Sequence, residues 1–93
     1  MNAALKTMLN KMFRRNIIGA KHTPENLIIG SKLKHVNNYS KKEFYEEYHK
    51  LLRQNYFIRL KKRTGKGSDW HISLNPEMIE EIKELVEEKD EIL

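Results

Sequence analysis

Lys61, Lys62, Arg63 and Lys66 place four cations within six residues, with Gly65 and Gly67 among them. Cationic donors on a backbone free to approach closely suit contact with phosphate. At a Debye length of about 8 Å such a cluster acts as one patch. The plainer use of the same charges is to keep a solvated hairpin from pairing edge to edge with another chain. Ser40, Lys41 and Lys42 make a second offer to an anion, at the start of an expected helix whose free N–H groups and dipole favour negative charge. Lys21 and Thr23 make a third, against the plainer reading of Thr23 as a helix N-cap.

Other chemistries find no constellation. His22, His35, His49 and His71 lack metal-site spacing, so no metal is expected. Ser73 has no base and acid arranged around it. Gly65-x-Gly67 is too short for a nucleotide-binding fingerprint. No carboxylate pair lies in an apolar setting. The expectation is therefore a non-enzyme without cofactor. The absence of cysteine excludes disulfides, thiolate metal sites and cysteine nucleophiles, and suits a reducing cytoplasm. The longest apolar run is three residues, so neither a membrane span nor a secretory signal is expected.

Charge bears most directly on the partner. Of 93 residues, 33% are charged and the formal net charge is +5. Residues 1–76 carry 16 Lys or Arg against 5 acids, a balance of +11; residues 77–93 carry 2 Lys against 8 acids, a balance of −6. A basic body with an acidic tail end points to a polyanion for the body.

The elements that would position these residues follow from periodicity. Leu5, Met8, Leu9, Met12, Phe13 and Ile17 form one helical stripe over about residues 3–18, with Gly19 as its stop. Thr23, Pro24 and Glu25 open a second helix to about Lys34, with Leu27, Ile28 and Leu33 facing inward. Gly30 weakens that helix or permits a close crossing. Ser40 and Glu43 read as a capping box for a third helix, about 41–54, which buries Phe44, Tyr45, Tyr48, Leu51 and Leu52 and exposes Lys42, Glu46, His49, Lys50 and Arg53. Asn55 can end it in the left-handed conformation.

The period then becomes two. Tyr56, Ile58 and Leu60 alternate with Phe57, Arg59 and Lys61; Trp70, Ile72 and Leu74 alternate with Asp69, His71 and Ser73. The stretch 62–68 reads as a flexible tip. Trp70 falls on the inward set, with a stacking platform for a base as its alternative. Asn75-Pro76-Glu77 opens a last helix. Its Ile79, Ile82, Val86 and Leu93 would either pack on the first helix or form a dimer interface.

Helix, short strand, two helices, basic hairpin and helix, in that order, resemble the winged helix-turn-helix family over about residues 5–75. The runs Ile18-Gly19-Ala20-Lys21-His22-Thr23-Pro24-Glu25-Asn26-Leu27 and Trp70-His71-Ile72-Ser73-Leu74-Asn75-Pro76 are similar to small uncharacterised archaeal winged-helix proteins. The resemblance implies an α+β, mostly helical winged-helix domain over 1–75, comprising a three-helix core and a basic wing. Residues 76–93 would add the acidic C-terminal helix. It also implies double-stranded DNA as partner, in transcription regulation or chromosome association. The third helix would enter the major groove through Ser40, Lys41, Lys42, His49 and Arg53, and Lys61, Lys62, Arg63 and Lys66 would meet phosphates. Glu43, Glu46 and Glu47 depart from that pattern and favour a rival, a protein-interaction module. RNA is a second rival partner.

Overall fold

A computed structural model describes residues 1–64 and 67–87, and the side chains of all of these but 64, 67 and 68. Among the described residues the chain is α+β and mostly helical. Helix α1 (Ala3–Arg14) leads to the short strand β1 (Thr23–Pro24), then α2 (Glu25–Leu33) and α3 (Asn38–Arg53). Strands β2 (Phe57–Thr64) and β3 (Gly67–Leu74) form a hairpin. A 3-10 turn (Pro76–Met78) runs into α4 (Ile79–Glu87).

The sheet is antiparallel in the order β1-β3-β2. Thr23 pairs with Ile72, Phe57 with Leu74 and Thr64 with Gly67. Leu74 also receives the chain after α1: its N–H donates to Ile17 O at 3.0 Å, and Gly19 N–H donates to Leu74 O at 2.9 Å. Thr23 is therefore a strand residue rather than an N-cap, and Pro24 occupies the cap position of α2 without a side-chain bond. The core joins Leu5, Met8, Leu9 and Met12 of α1 to Phe44 and Tyr48 of α3, Ile72 and Leu74 of β3, and Ile82 of α4. Each such side chain contributes about 1.5–3 kcal/mol by leaving water.

Both long helices stop on asparagine. Asn16 (φ 53°) and Asn55 (φ 63°) take the left-handed conformation. Ile17 N–H then donates to Met12 O at 2.9 Å, and Tyr56 N–H to Leu51 O at 3.0 Å, closing each helix end. The first helix thus ends four residues earlier than its stripe suggests. Gly19 serves elsewhere: at φ +61° it passes Pro76, whose Cγ lies 3.3 Å from where a Cβ would stand.

Several facings differ from the expected ones. In α2 the buried residues are Ile28, Ile29 and Leu33, while Leu27 is 66% exposed. Gly30 makes no close crossing; a Cβ there would meet nothing within 4 Å. Tyr45 lies at the rim of the α3 stripe and is exposed. On β2 it is Phe57 that is buried, because it stands opposite Leu74 and opposite residues share a face. Ile58 and Leu60 take the other face and are half-buried. Ile82 and Val86 of α4 are buried in the chain's own core, with Ile79 packed against it, so α4 lies on α1; Leu93 lies outside the described residues. No described helix is long and apolar enough to cross a membrane.

Candidate nucleic-acid interface

The start of α3 is set by Asn37, whose Oδ1 accepts from Ser40 N–H at 2.8 Å. Ser40 is therefore not the cap, and the capping box with Glu43 does not form. Asn2 organises this end instead. It caps α1 by accepting from Ala4 and Leu5 N–H. Its Nδ2 donates to Ser40 O at 3.2 Å and Glu43 Oε1 at 3.0 Å, and its N–H donates to both Glu47 oxygens at 3.0–3.1 Å. Two of the three acids of α3 are thus turned onto the positive end of α1, where the dipole favours them. Ser40 goes with them to the α1 side.

One outward stripe of α3 carries Lys42, Glu46, His49 and Arg53, all exposed, and Lys50 is exposed beside it. At 100° per residue the four of the stripe fall within an arc of about 60°. Lys41 is half-buried on the flank facing α2. There it lines a cleft of about 500 Å³ with Lys34, Tyr45, His49, Leu52 and Arg59.

The hairpin is longer in strand than the periodicity suggests. Lys62 and Arg63 are strand residues opposite Asp69 and Ser68. Lys61 and Arg63 share the face of Trp70, and Lys62 takes the other. The cations are therefore distributed over two faces instead of ringing a flexible tip. Lys66 lies outside the described residues.

Trp70 does not enter the core: it is 40% exposed. Arg59 Cζ lies 3.9 Å from its ring centroid and Lys61 Nζ 5.7 Å. Arg59 is held in turn by Glu25, through Nε to Oε2 at 2.7 Å and Nη2 to Oε1 at 2.9 Å. Tyr48 of α3 donates its phenol to the same Glu25 Oε2 at 2.7 Å. Burial alone would raise the Glu25 carboxyl, but the Arg59 and Tyr48 hydrogen bonds and the Arg59 charge outweigh it and hold the group below its ordinary value. Burial, together with that carboxylate, pushes the Tyr48 phenol far up, so Tyr48 stays a donor. The chain Tyr48–Glu25–Arg59–Trp70 ties α3, α2 and both hairpin strands together.

Lys21 is engaged away from any helix start: its Nζ donates to Arg15 O at 2.7 Å, at the C-terminal end of α1. This end carries a second basic cluster that the sequence reading missed. Lys11, Arg14, Arg15 and Lys32 surround a hollow of about 290 Å³. Desolvation and the charges of Arg15, Lys32 and Arg14 lower the Lys11 value. The helical spacing of Lys11, Arg14 and Arg15 was the available signal; the approach of α2 was not.

His22 and His71 meet across β1 and β3, Nδ1 to Nδ1 at 2.8 Å. Burial, His22 and Lys62 lower the His71 value. No group of three or more possible metal ligands occurs among the described residues. No protein-family model, curated protein or solved structure matches this chain.

Proposed function

We propose that this is a winged-helix protein that binds double-stranded DNA, as a transcription regulator or a chromosome-associated factor. In this reading α3 enters the major groove and the β2–β3 hairpin is the wing. The observation that carries it is the sorting of charge on α3. Glu43 and Glu47 are hydrogen-bonded to Asn2 at the α1 N-terminus, while Lys42, His49 and Arg53, with Glu46 among them, share one exposed stripe. The element order, the β1-β3-β2 sheet and the exposed Lys61, Lys62 and Arg63 support it.

Phosphate contacts from Lys42, the wing cations and Lys66 would supply most of the affinity, and His49 and Arg53 would meet base edges. Glu46 stands in the same stripe and favours the rival reading, a protein-binding module; on DNA it would accept from cytosine N4.

The test is a titration of labelled duplex at several salt concentrations. With about five phosphate contacts, log K falls by about 4.5 per decade of salt. Replacing Lys61, Lys62, Arg63 and Lys66 by alanine weakens all duplex sequences alike. Unchanged affinity in that variant removes the wing from the interface, and no duplex binding at low salt overturns the reading in favour of a protein partner.

A further inference from the structure

Lys11, Arg14 and Arg15 stand on one flank of α1, and Lys32 of α2 comes up beside them. Together the four surround the hollow of about 290 Å³. Among the described residues none of the four is ion-paired with a carboxylate. The packing of α2 on α1 has brought like charges together with nothing opposite to offset them. Lys11 registers this: desolvation and its three cationic neighbours lower its value.

Compensation of the helix ends does not account for the cluster. The carbonyls of Lys11, Met12 and Phe13 already accept from Arg15, Ile17 and Asn16 N–H, and that of Arg15 accepts from Lys21 Nζ. A helix C-terminus carries about half a negative charge, so the ends of α1 and α2 together leave a surplus of about three positive charges.

The hollow also lies apart from the α3 stripe. Asn2 joins the N-terminus of α1 to α3, and Lys11 to Arg15 stand about 14–20 Å farther along α1. Phe44 and Leu51, buried in one core with α1, lie on α3 roughly opposite the stripe. On α2, Lys32 is about 110° around from Ile29, Gly30 and Leu33, which line the cleft beside α3. A duplex along the stripe therefore has α3 and the core between it and the hollow.

The donors are two guanidinium forks and two ammonium groups, and both helices present their last turns here, so no helix N-terminus contributes. Such a site answers to charge more than to the shape of one small anion. It suits a row of backbone phosphates, whatever the sequence.

We propose that the hollow of Lys11, Arg14, Arg15 and Lys32 is a second phosphate-binding site, which takes the backbone of a second DNA duplex while α3 and the wing hold the first. The protein then bridges two duplexes. The inference rests on the DNA-binding reading above. With three or four phosphate contacts, log K of the second site falls by about 3 per decade of salt.

The experiment mixes the full chain at low salt with two duplexes of unrelated sequence, one carrying a donor dye and the other an acceptor. Anisotropy reports binding of one duplex, and energy transfer reports bridging. Wild type gives both. Arg14→Gln, Arg15→Gln and Lys32→Gln together keep the single-duplex affinity within about twofold and lose the energy transfer. These side chains are exposed or half-buried and repel one another, so the variant melts no lower than wild type. Arg14→Lys with Arg15→Lys keeps the charge and keeps the transfer. No transfer in wild type, or transfer undiminished in the glutamine variant, overturns the inference while leaving duplex binding in place. So does a loss of about tenfold or more in the variant's single-duplex affinity, which puts the cluster in the first interface. Pyrophosphate bound by wild type and not by the variant, without energy transfer, makes the hollow a small-anion site and overturns the inference too. If neither duplex binds at all, the reading beneath falls as well.

Discussion

Glu25 is the residue on which the hairpin's placement turns. One carboxylate receives Tyr48 from α3 and Arg59 from β2, and Arg59 in turn covers Trp70 on β3. Glu25→Gln keeps the shape and removes the charge, and destabilises the fold by about 1–3 kcal/mol at neutral pH, measured by urea denaturation. The pH dependence has a definite sign. The folded-state value is lowered, so the stabilisation is complete above the unfolded value near 4.5 and is lost as pH falls through the folded one. The gap between wild type and Glu25→Gln should close as pH drops below about 4.5, and a constant gap down to acid unfolding would show that the carboxylate's charge is not what holds Arg59. Tyr48→Phe removes one bond of three and costs about 1 kcal/mol.

At the scale of elements, the sequence was legible wherever one apolar stripe faces one neighbour. The stripe of α1 as far as Met12, a last helix after Asn75 (reached through a 3-10 turn) and the switch to period two were readable. The failures have physical causes in particular residues. The Ser40 box was a plausible local signal, but Asn37 starts the helix one turn earlier and Asn2, 41 residues from Glu43, takes the acid that would have closed the box. The phase of α2 was ambiguous because Leu27, Ile28 and Ile29 are consecutive, and only the packing chooses the last two. Trp70 follows the alternation that buries Ile72 and Leu74, but alternation does not tell how far the covering helices reach. Of the candidate site, the cations were readable and the Glu25–Arg59 fork was not. The α2 facing is testable: Leu27→Gln changes stability by less than about 0.5 kcal/mol, whereas Ile29→Ala costs about 2–5 kcal/mol. Gly30→Ala gains about 0.5–1 kcal/mol, because the added methyl has open space and the helix is better formed, and thermal melts should show a higher Tm.

Over the whole molecule, like charges are grouped. The cluster of Lys11, Arg14, Arg15 and Lys32 repels itself, and α4 exposes Glu80, Glu81, Glu84 and Glu87. Raising ionic strength from about 0.01 to 0.15 M shortens the Debye length from about 30 to 8 Å. Folding stability should therefore rise with salt while DNA affinity falls; a Tm that falls over the same range would mean that attraction, not repulsion, dominates the folded chain. The strand order also governs how the protein is made. β3 lies between β1 and β2 and takes Ile17 and Gly19 as well, yet it ends only at Leu74. While it is still within the ribosome, α1, α2 and α3 are already synthesised, but β1 and β2 have no partner. The sheet closes only after β3 has emerged, since β3 joins β1 to β2 and takes Ile17 and Gly19 as well. A nascent chain halted before Leu74 carries open strand edges and an uncovered apolar face, and is a substrate for chaperones.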